Sequence, residues 1–450
     1  DERGGKSPRK EPGRRCDRLG RPWHNPWPAE NGPGSIEELE IRAKIGELEK
    51  FLSMEEPQHE VIFEVYKSLP LPRVAYLPYH SIRKLTNVMA VVQYKRYDAM
   101  LRYLSIMDDM KAANIPIALA DWTTAVNFAG SCFRQVTRAE VESALYVWRE
   151  MEEEAGVKAS NVTFNILFHL AWKAGKYALV EMLLKEMKKR NLTYDRYFRT
   201  DYIVYQGIRG NGDGVRQAYK DLVDSGEIVD TAVMNAVLTA LISAGEATGA
   251  EQVFLRMKAL AATRLQSITL PSPQPYNWRQ MRDLGITLNR AAIAHRHDPE
   301  KRKDLQERAP IAPDVATYKI LVDYHAQMAG NLDRVTELLA EMDRVYNLPI
   351  QGSFFFRLIL GFSLHGGVRY TSWTLPRLEI IWSAFLLALD RGTEGFFLAR
   401  PLVDTAVCAF AKCAGKERTM QAWEDVRVRW EPEEDDLKAL EARLRKLFPL

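Results

Sequence analysis

Residues 161–195 read NVTFNILFHLAWKAGKYALVEMLLKEMKKRNLTYD, and the pattern of this stretch returns at a fixed spacing of 35 residues. The positions that keep the spacing carry a glycine, an amide or hydroxyl residue, an aspartate, and a methionine or leucine: Gly175, Gly210 and Gly245; Asn165, Thr200 and Asn235; Asp195 and Asp230; Met187, Leu222 and Met257. A fixed period of this size indicates a solenoid, in which each structural unit packs mainly on its neighbours along the chain.

Each period contains two stretches with helical spacing of apolar residues, and a glycine separates them. Residues 162–173 predict a first helix and residues 177–189 a second. Gly175 between them suits the positive φ that a residue after a helix commonly needs. We therefore expect an all-α fold, a right-handed superhelical α-solenoid of helical-hairpin repeats. Less regular hairpins are predicted on both sides of the regular stretch.

Composition changes along the chain predict six segments. They are a basic arm with prolines and tryptophans at 1–34, N-terminal capping helices at 35–78, repeats at 79–260, an insertion at 261–312, degenerate repeats at 313–430 and a C-terminal capping helix at 431–450. The arm is too rich in proline for a helix, so we expect it to be disordered. In an alternative interpretation, Trp23 and Trp27 anchor this arm on an RNA or a partner protein. The insertion is expected to loop off one face of the array.

The overall composition is that of an ordinary folded protein. The net charge is only +3, so a nucleic-acid site would have to be a local basic surface. The four cysteines form no Cys-x-x-Cys pair, which favours a reducing compartment. No apolar run approaches 18 residues, so no membrane span is expected. Because the chain does not begin with Met, we also expect that a targeting peptide has been lost.

The sequence offers little support for catalysis. It lacks the Gly-x-Ser-x-Gly, Walker and His-Glu-x-x-His motifs, and no His-x-Glu precedes a Cys-x-x-Cys as in zinc deaminases. His295 and His297 are metal-capable but have no further ligands nearby in the sequence. We therefore predict no enzyme activity, no cofactor and no metal site.

The polar residues that keep the period require another explanation. Asn165, Thr200 and Asn235 lie in the first turn of each predicted first helix, where packing alone would favour an apolar residue. Their side chains both donate and accept hydrogen bonds. Asp195 and Asp230 directly precede the next first helix and could be simple N-caps. Capping does not explain why asparagine or threonine recurs in the same register.

These stretches resemble the pentatricopeptide repeat family. The resemblance rests on NVTFNIL at 161–167, KAGK at 173–176, LKEM at 184–187 and the period of 35, which differs from the 34 of tetratricopeptide repeats. It extends over 161–260 and 314–352, and more weakly over 79–160 and 353–430. The resemblance implies a binder of single-stranded RNA in which each repeat contacts one base through two or three side chains.

In this family, the fifth and last residues of a repeat contact the base edge, and the second residue packs on the base faces. The resemblance therefore implies two base-reading pairs with their packing residues: Asn165 with Asp195 and Val162, and Thr200 with Asp230 and Tyr197. In the family, such pairs favour uracil and guanine respectively. Upstream, Thr123 and Ser160 form a weaker pair.

Later repeats depart from this pattern. Asn235 has no recognisable last-position partner because the insertion follows its repeat. The remaining units carry Lys319 with Gly352 and Arg357 with Arg400, which suggests contacts to phosphate or to a partner protein.

Three non-catalytic functions agree with these observations. The first is an RNA-binding protein of the mitochondrion that acts on mRNA or rRNA in processing, stability or translation. The second is a structural or assembly component of the mitochondrial ribosome, which docks through RNA backbone and through ribosomal proteins or rRNA at the basic arm. The third is a peptide-binding helical scaffold, which would have no RNA affinity. The periodic polar residues argue against this third function.

Overall fold

The structure is a computed structural model that describes residues 36–267 and 278–448, with side chains described from residue 37 and not at 264–267. Within these ranges all regular elements are helices, which confirms the predicted all-α class and hairpin architecture. The predicted arm at 1–34, with Trp23 and Trp27, and residues 268–277 of the predicted insertion lie outside the described residues.

The helices follow one another in hairpins. They are α1 (Ile36–Leu52), α2 (His59–Lys67), α3 (Tyr79–Ala90), α4 (Tyr97–Ala112), α5 (Leu119–Ser131), α6 (Arg138–Arg149), α7 (Asn161–Lys173), α8 (Tyr177–Lys189), α9 (Arg196–Ile208), α10 (Gly212–Asp224), α11 (Thr231–Ser243), α12 (Ala247–Ser267), α13 (Trp278–Ala294), α14 (Pro299–Arg308), α15 (Val315–Asp323), α16 (Leu332–Arg344), α17 (Gly352–His365), α18 (Leu375–Asp390), α19 (Arg400–Ala414), α20 (Lys416–Arg427) and α21 (Glu434–Leu447). A 3₁₀ turn lies at Arg73–Tyr76, and π-helical turns extend α6 at Glu150–Glu154 and α15 at Tyr324–Met328.

The periodic glycines form the turns inside the hairpins. Gly175, Gly210 and Gly245 have φ of 67°, 71° and 81°, a left-handed conformation that a Cβ disfavours. The turn at Gly210 is short, because α10 begins at Gly212. Asn211 caps this helix, since its side-chain oxygen accepts the Gly214 N–H at 2.9 Å.

The chain divides into two compact units, residues 1–198 and 199–450, and the division falls within α9. In the first unit, Met187 of α8 is fully buried, and Phe164 of α7 meets Trp148 of α6 edge to face. In the second unit, Leu222 of α10 and Met257 of α12 occupy the same place in the period as Met187 and are also fully buried. The apolar positions of the 35-residue period therefore form the hairpin cores.

The described part of the insertion is largely helical. Helix α12 continues past the predicted boundary at 260 to Ser267, and two further helices, α13 and α14, precede α15. A small apolar cluster packs α13 against the loop after α10 through Leu288 and Ile228. The insertion is thus packed against the repeats of the second unit, and the prediction that it loops off the array was wrong.

Ion pairs join neighbouring hairpins on their second helices. Arg190 of α8 donates to Glu152 of the π-helical turn at 3.0 Å, and Arg418 of α20 donates to Glu379 of α18 at 2.6 Å. Because each pair bridges one hairpin and the next, these contacts add to the apolar packing between neighbouring hairpins.

Glu251 of α12 forms another such contact between hairpins, and its pKa is strongly lowered. Its carboxylate lies 3.0 Å from His325 Nε2 in the π-helical turn and 3.1 Å from Arg334 Nη2 of α16. The hydrogen bond with His325 and the Arg334 guanidinium lower the pKa of Glu251 from 4.5 to about 2, although burial opposes this shift. The contact fastens α12 to the hairpin that follows the insertion.

A change of Glu251 to Gln should alter the acid limb of the stability curve. Because the pKa of Glu251 is depressed in the folded state, its contribution is complete above pH 4.5 and is lost as the pH falls towards 2. That contribution is on the order of 2–3 kcal/mol. We expect E251Q to be less stable at neutral pH and to lose less stability between pH 4.5 and 2, as measured by urea unfolding. Glu337→Gln, at an exposed acid beside the same arginine, is the control and should leave the acid limb unchanged.

Candidate nucleic-acid interface

The structure brings Asn165 and Asp195 into contact. Asn165 lies in the first turn of α7, and its Nδ2 donates to Asp195 Oδ1 at 2.9 Å. The same carboxylate accepts the Phe198 N–H at 2.9 Å and a weaker contact from Asn161 Nδ2 at 3.3 Å. Asp195 therefore caps α9 and also faces the amide of Asn165, so capping and pairing both apply to this residue.

The pair retains an unfilled acceptor. The side-chain oxygen of Asn165 is buried and has no hydrogen-bond partner within the described part of the chain. A buried polar atom without a partner costs about 1–3 kcal/mol. The pair therefore holds one acceptor that the protein leaves without a hydrogen bond.

The predicted packing residues lie on the first helices as half-exposed apolar side chains. Val162 is 48% exposed and Tyr197 is 46% exposed. Val162 stands three residues before Asn165, and Tyr197 stands three residues before Thr200, so each shares a helix face with its base-reading residue. Exposed apolar side chains beside hydrogen-bonding groups are suited to packing on the flat face of a base.

Asp230 is in a more enclosed position than Asp195. Its carboxylate caps α11 by accepting the Val233 N–H at 3.0 Å, and the residue is almost fully buried. Thr200, its predicted partner, is half-buried in the first turn of α9. The second predicted pair is thus less accessible than the first.

The insertion holds the residues on both sides of Asp230. Gln306 of α14 accepts the Val229 N–H and donates to the Val229 carbonyl, each at 2.7 Å. On the other side, the Thr231 N–H donates to the carbonyl of Pro310 at 2.9 Å, and the Thr231 hydroxyl donates to the carbonyl of Ala312 at 3.1 Å. Nothing in the sequence pointed to Gln306, because a side chain that binds the backbone of a distant residue produces no recognisable sequence pattern.

Replacement of Gln306 by Ala should loosen the loop that carries Asp230. The change removes the two hydrogen bonds that Gln306 makes with the N–H and the carbonyl of Val229, so we expect a loss of about 1–3 kcal/mol in the free energy of unfolding. It should also speed amide hydrogen exchange at residues 229–231. Gln217→Ala, an exposed change on α10, is the control and should cost less than about 0.5 kcal/mol. Unchanged exchange at residues 229–231 would mean that Gln306 does not hold this loop.

Asn235 has a partner that the sequence failed to reveal. Its Nδ2 donates to Asp314 Oδ1 at 3.1 Å, and Asp314 caps α15 by accepting the Thr317 N–H at 2.8 Å. Asp314 therefore has the same place relative to α15 that Asp195 has relative to α9. The sequence left the last-position partner of Asn235 unrecognised, because the insertion separates Asn235 and Asp314 in sequence but not in space.

Hydroxyl groups hold two of the fifth-position side chains. The Thr317 hydroxyl donates to Asn235 Oδ1 at 2.7 Å, and the hydroxyls of Thr123 and Thr163 lie 2.8 Å apart. Ser160, the predicted partner of Thr123, reaches the same Thr163 hydroxyl at 3.4 Å. Asn235 and Thr123 are buried, and their side chains are already hydrogen bonded.

At the first pair, an apolar residue takes the place of these hydroxyls. The position that Thr163 and Thr317 occupy, three residues after the last position of the preceding repeat, is Phe198 in the repeat that follows Asn165. Phe198 cannot hydrogen bond through its side chain, and this explains why the Asn165 oxygen stays unfilled. Among the pairs with a described contact, Asn165 with Asp195 is the one best placed to accept a ligand.

Comparison with known proteins agrees with this repeat structure. A family model described as a pentatricopeptide repeat domain matches residues 146–193, and a second, described as a PPR repeat, matches residues 232–260. Residues 146–193 and 232–260 are thus similar to pentatricopeptide repeats. The matched segments hold Asn165 and Asn235, and the pentatricopeptide repeat of residues 146–193 ends just before Asp195. No curated protein matches the chain in sequence.

Solved pentatricopeptide repeat structures also match, at low identity. One is the crystal structure of the pentatricopeptide repeat protein PPR10 from maize, with 14% identity and a TM-score of 0.35, covering 90% of this chain and 55% of PPR10. Another is PPR10 in complex with an 18-nt psaJ RNA element, with 14% identity, a TM-score of 0.29 and coverage of 90% and 58%. The chain thus spans little more than half the length of these proteins.

The described ranges contain neither a membrane-spanning helix nor a cluster of metal ligands. None of the helices there combines the length and the apolar character needed to cross a membrane. Nor does that part of the chain gather three or more histidine, cysteine or acidic side chains in a way that could hold a metal ion.

Proposed function

We propose that this chain binds single-stranded RNA and that its pentatricopeptide repeats contact individual bases. The observation that carries the proposal is the contact of Asn165 with Asp195, which places an amide and a carboxylate side by side on a helix face that also exposes Val162. Recognition of a base requires hydrogen-bonding groups for its edge and an apolar surface for its face, and this site offers both.

The chemistry of the first pair favours uracil. Uracil presents one N–H donor between two carbonyl acceptors, and an ionised carboxylate only accepts hydrogen bonds. Asp195 can accept from the uracil N–H while the Asn165 amide donates to a neighbouring carbonyl. The second pair, Thr200 with Asp230, is proposed to favour guanine, whose edge carries two donor groups. The proposed preference is uracil followed by guanine, 5′ to 3′, at two successive repeats.

A competition series of short RNAs tests this proposal. Fluorescence anisotropy would compare oligonucleotides that carry U and G at adjacent positions with the same sequences carrying A at either one. We expect the A substitutions to weaken binding by about 1–3 kcal/mol each. Asn165→Ala and Thr200→Ala should each remove one of these two preferences. If the chain bound poly-A as tightly as the RNA with U and G, and neither variant changed RNA affinity, base contacts would be ruled out.

We propose that the RNA is a mitochondrial mRNA or rRNA and that the chain acts without catalysis in RNA processing, stability or translation. The repeat family and the pairing geometry support an RNA partner, and the family resemblance suggests the compartment. Ultraviolet crosslinking in cells followed by sequencing of the bound RNA would test both points. Recovery of nuclear transcripts alone, with a fluorescent fusion outside mitochondria, would contradict the compartment.

A second candidate function is a component of the mitochondrial ribosome. The repeats that carry Lys319 and Arg357 favour it, because these units have cations where the other units have amide or hydroxyl side chains. Such a protein would contact RNA backbone and ribosomal proteins more than base edges. Co-sedimentation with ribosomal subunits after a high-salt wash would support this function, and release into the soluble fraction would contradict it.

A further inference from the structure

Between α15 and α17, the positions that would contact a base edge carry residues unsuited to that contact. We call the place defined by Lys319 and Gly352 the slot. Its fifth position is Lys319, and its last position, where Asp195 and Asp314 stand in other repeats, is Gly352. Gly352 is buried, and a Cβ there would lie 2.5 Å from the carbonyl oxygen of Gly395. No side chain fits at this position without a backbone shift, so the acceptor of the other repeats is excluded.

The following first helix has also lost its packing residue. Its second position is Phe354, which is fully buried, whereas Val162 and Tyr197 are half exposed at the same position. The second residue of the Lys319 repeat itself, Ala316, is exposed but small, so a base meets no acceptor and little apolar surface in this slot.

Two cations take their place. Lys319 makes no hydrogen bond or ion pair within the described residues. Arg357, at the fifth position of the next repeat, forms an ion pair between its Nε and Asp323 Oδ1 at 2.5 Å and donates through Nη1 to the Ser353 carbonyl at 2.9 Å. Burial lowers the pKa of Lys319, and the nearby Arg357 guanidinium lowers it further, while Asp323 opposes both effects. Asp323 is thus paired with Arg357 and only partly offsets the charge of Lys319.

An anion would restore the balance of charge in this slot. Nη2 of Arg357 makes no hydrogen bond within the described residues. The Lys319 ammonium likewise has its three N–H donors available. A tetrahedral phosphate matches this combination of a planar guanidinium and a point charge. Phosphate contacts set the register of a strand but carry no base preference.

We propose that Lys319 and Arg357, with Gly352 between them, bind a phosphodiester of the RNA backbone. The site rests on the proposed RNA-binding function and gives these repeats a distinct task within it. The early repeats select bases, and this later slot holds the strand through its charge.

The test is the salt dependence of RNA binding by the full chain. Loss of one phosphate contact to a single strand reduces the slope of log affinity against log salt by about 0.7. We expect Lys319→Gln and Arg357→Gln each to flatten the slope by about this amount, with the preference for uracil over cytosine at the Asn165 pair unchanged. Lys319→Arg should keep the slope, because the charge is retained. Lys220→Gln, at an exposed lysine on the second helix α10, is the matched control and should leave the slope unaltered.

A neutral backbone provides the second arm. Methylphosphonate linkages, placed one at a time along the oligonucleotide, should weaken binding at one linkage in the wild type and have no effect there in Lys319→Gln. An unchanged slope in both variants overturns the phosphate site and leaves the two cations to an acidic protein partner. An equal change in Lys220→Gln overturns it as well, since the effect is then one of general surface charge. If the wild type discriminates bases but these variants behave normally, this site fails while the RNA-binding function stands; if the wild type binds no RNA, both fail.

Discussion

Changing Asp195 to Asn should move the preference of the first repeat from uracil towards cytosine. The carboxylate can only accept, so it suits the N–H of uracil, whereas an amide can donate to the unprotonated ring nitrogen of cytosine. We expect discrimination between the two bases to change by about 1–3 kcal/mol, roughly 5–150-fold in relative affinity. The measurement is anisotropy with two oligonucleotides that differ only at this base.

The fold should tolerate this substitution. Asparagine caps helices about as well as aspartate, and its side-chain oxygen can still accept the Phe198 N–H that Asp195 accepts at 2.9 Å. Asp213→Asn, at a fully exposed aspartate in the first turn of α10, is the matched control and should change neither stability nor base preference. A variant that folds, binds and still favours uracil to the same degree would show that Asp195 does not touch the base.

Replacement of Gly207 by Ala should destabilise the second unit. Gly207 lies near the end of α9, where a Cβ would overlap the carbonyl oxygen and the Cα of Ala240 in α11. Both are backbone atoms, so relief requires the two helices to separate rather than a side chain to rotate. Overpacking of this kind typically costs about 1–3 kcal/mol and occasionally more. Urea unfolding would measure the loss.

Gly249 offers the matched control in the same unit. It also lies in a helix, α12, but a Cβ there would have its nearest neighbour at 3.6 Å, an ordinary contact. Gly249→Ala should be neutral or stabilising by up to about 1 kcal/mol, because alanine favours the helical backbone. Equal stability of the two variants would mean that α9 and α11 do not approach as closely as the structure describes. Because α9 carries Thr200 and α11 carries Asn235, separation of these helices should also weaken RNA binding.

Much of the hairpin architecture could be predicted because it depends on local physics repeated at a fixed spacing. A residue with positive φ is needed at each turn, and glycine supplies it at Gly175 and Gly245. The buried face of each second helix needs an apolar residue at one point in the period, and Met187 and Met257 supply it. Helix boundaries were harder to predict where capping decides the start of a helix. The side chain of Asn211 caps α10, so this helix begins within the glycine-rich turn.

The candidate site was less predictable because its groups come from different repeats. The contact of Asn165 with Asp195 followed from the period, but the partner of Asn235 did not, since the insertion displaced Asp314 from its expected number. Whether the amide oxygen of the pair is hydrogen bonded depends on a third residue. This residue is Thr317, with a hydroxyl, beside Asn235, and Phe198, with a phenyl ring, at the matching position for Asn165. Both residue types are ordinary at the start of a helix, so neither stands out in the sequence.

The pair of Asn235 and Asp314 has a consequence for how such a chain can grow. Its two residues stand 79 positions apart, against 30 for Asn165 and Asp195, yet the two contacts measure 3.1 and 2.9 Å. The interface between consecutive repeats is therefore independent of how much chain joins them. An array of this kind can receive a foreign domain at the end of α12 without losing its register, and the same junction is where an engineered reporter or enzyme could be grafted onto the protein.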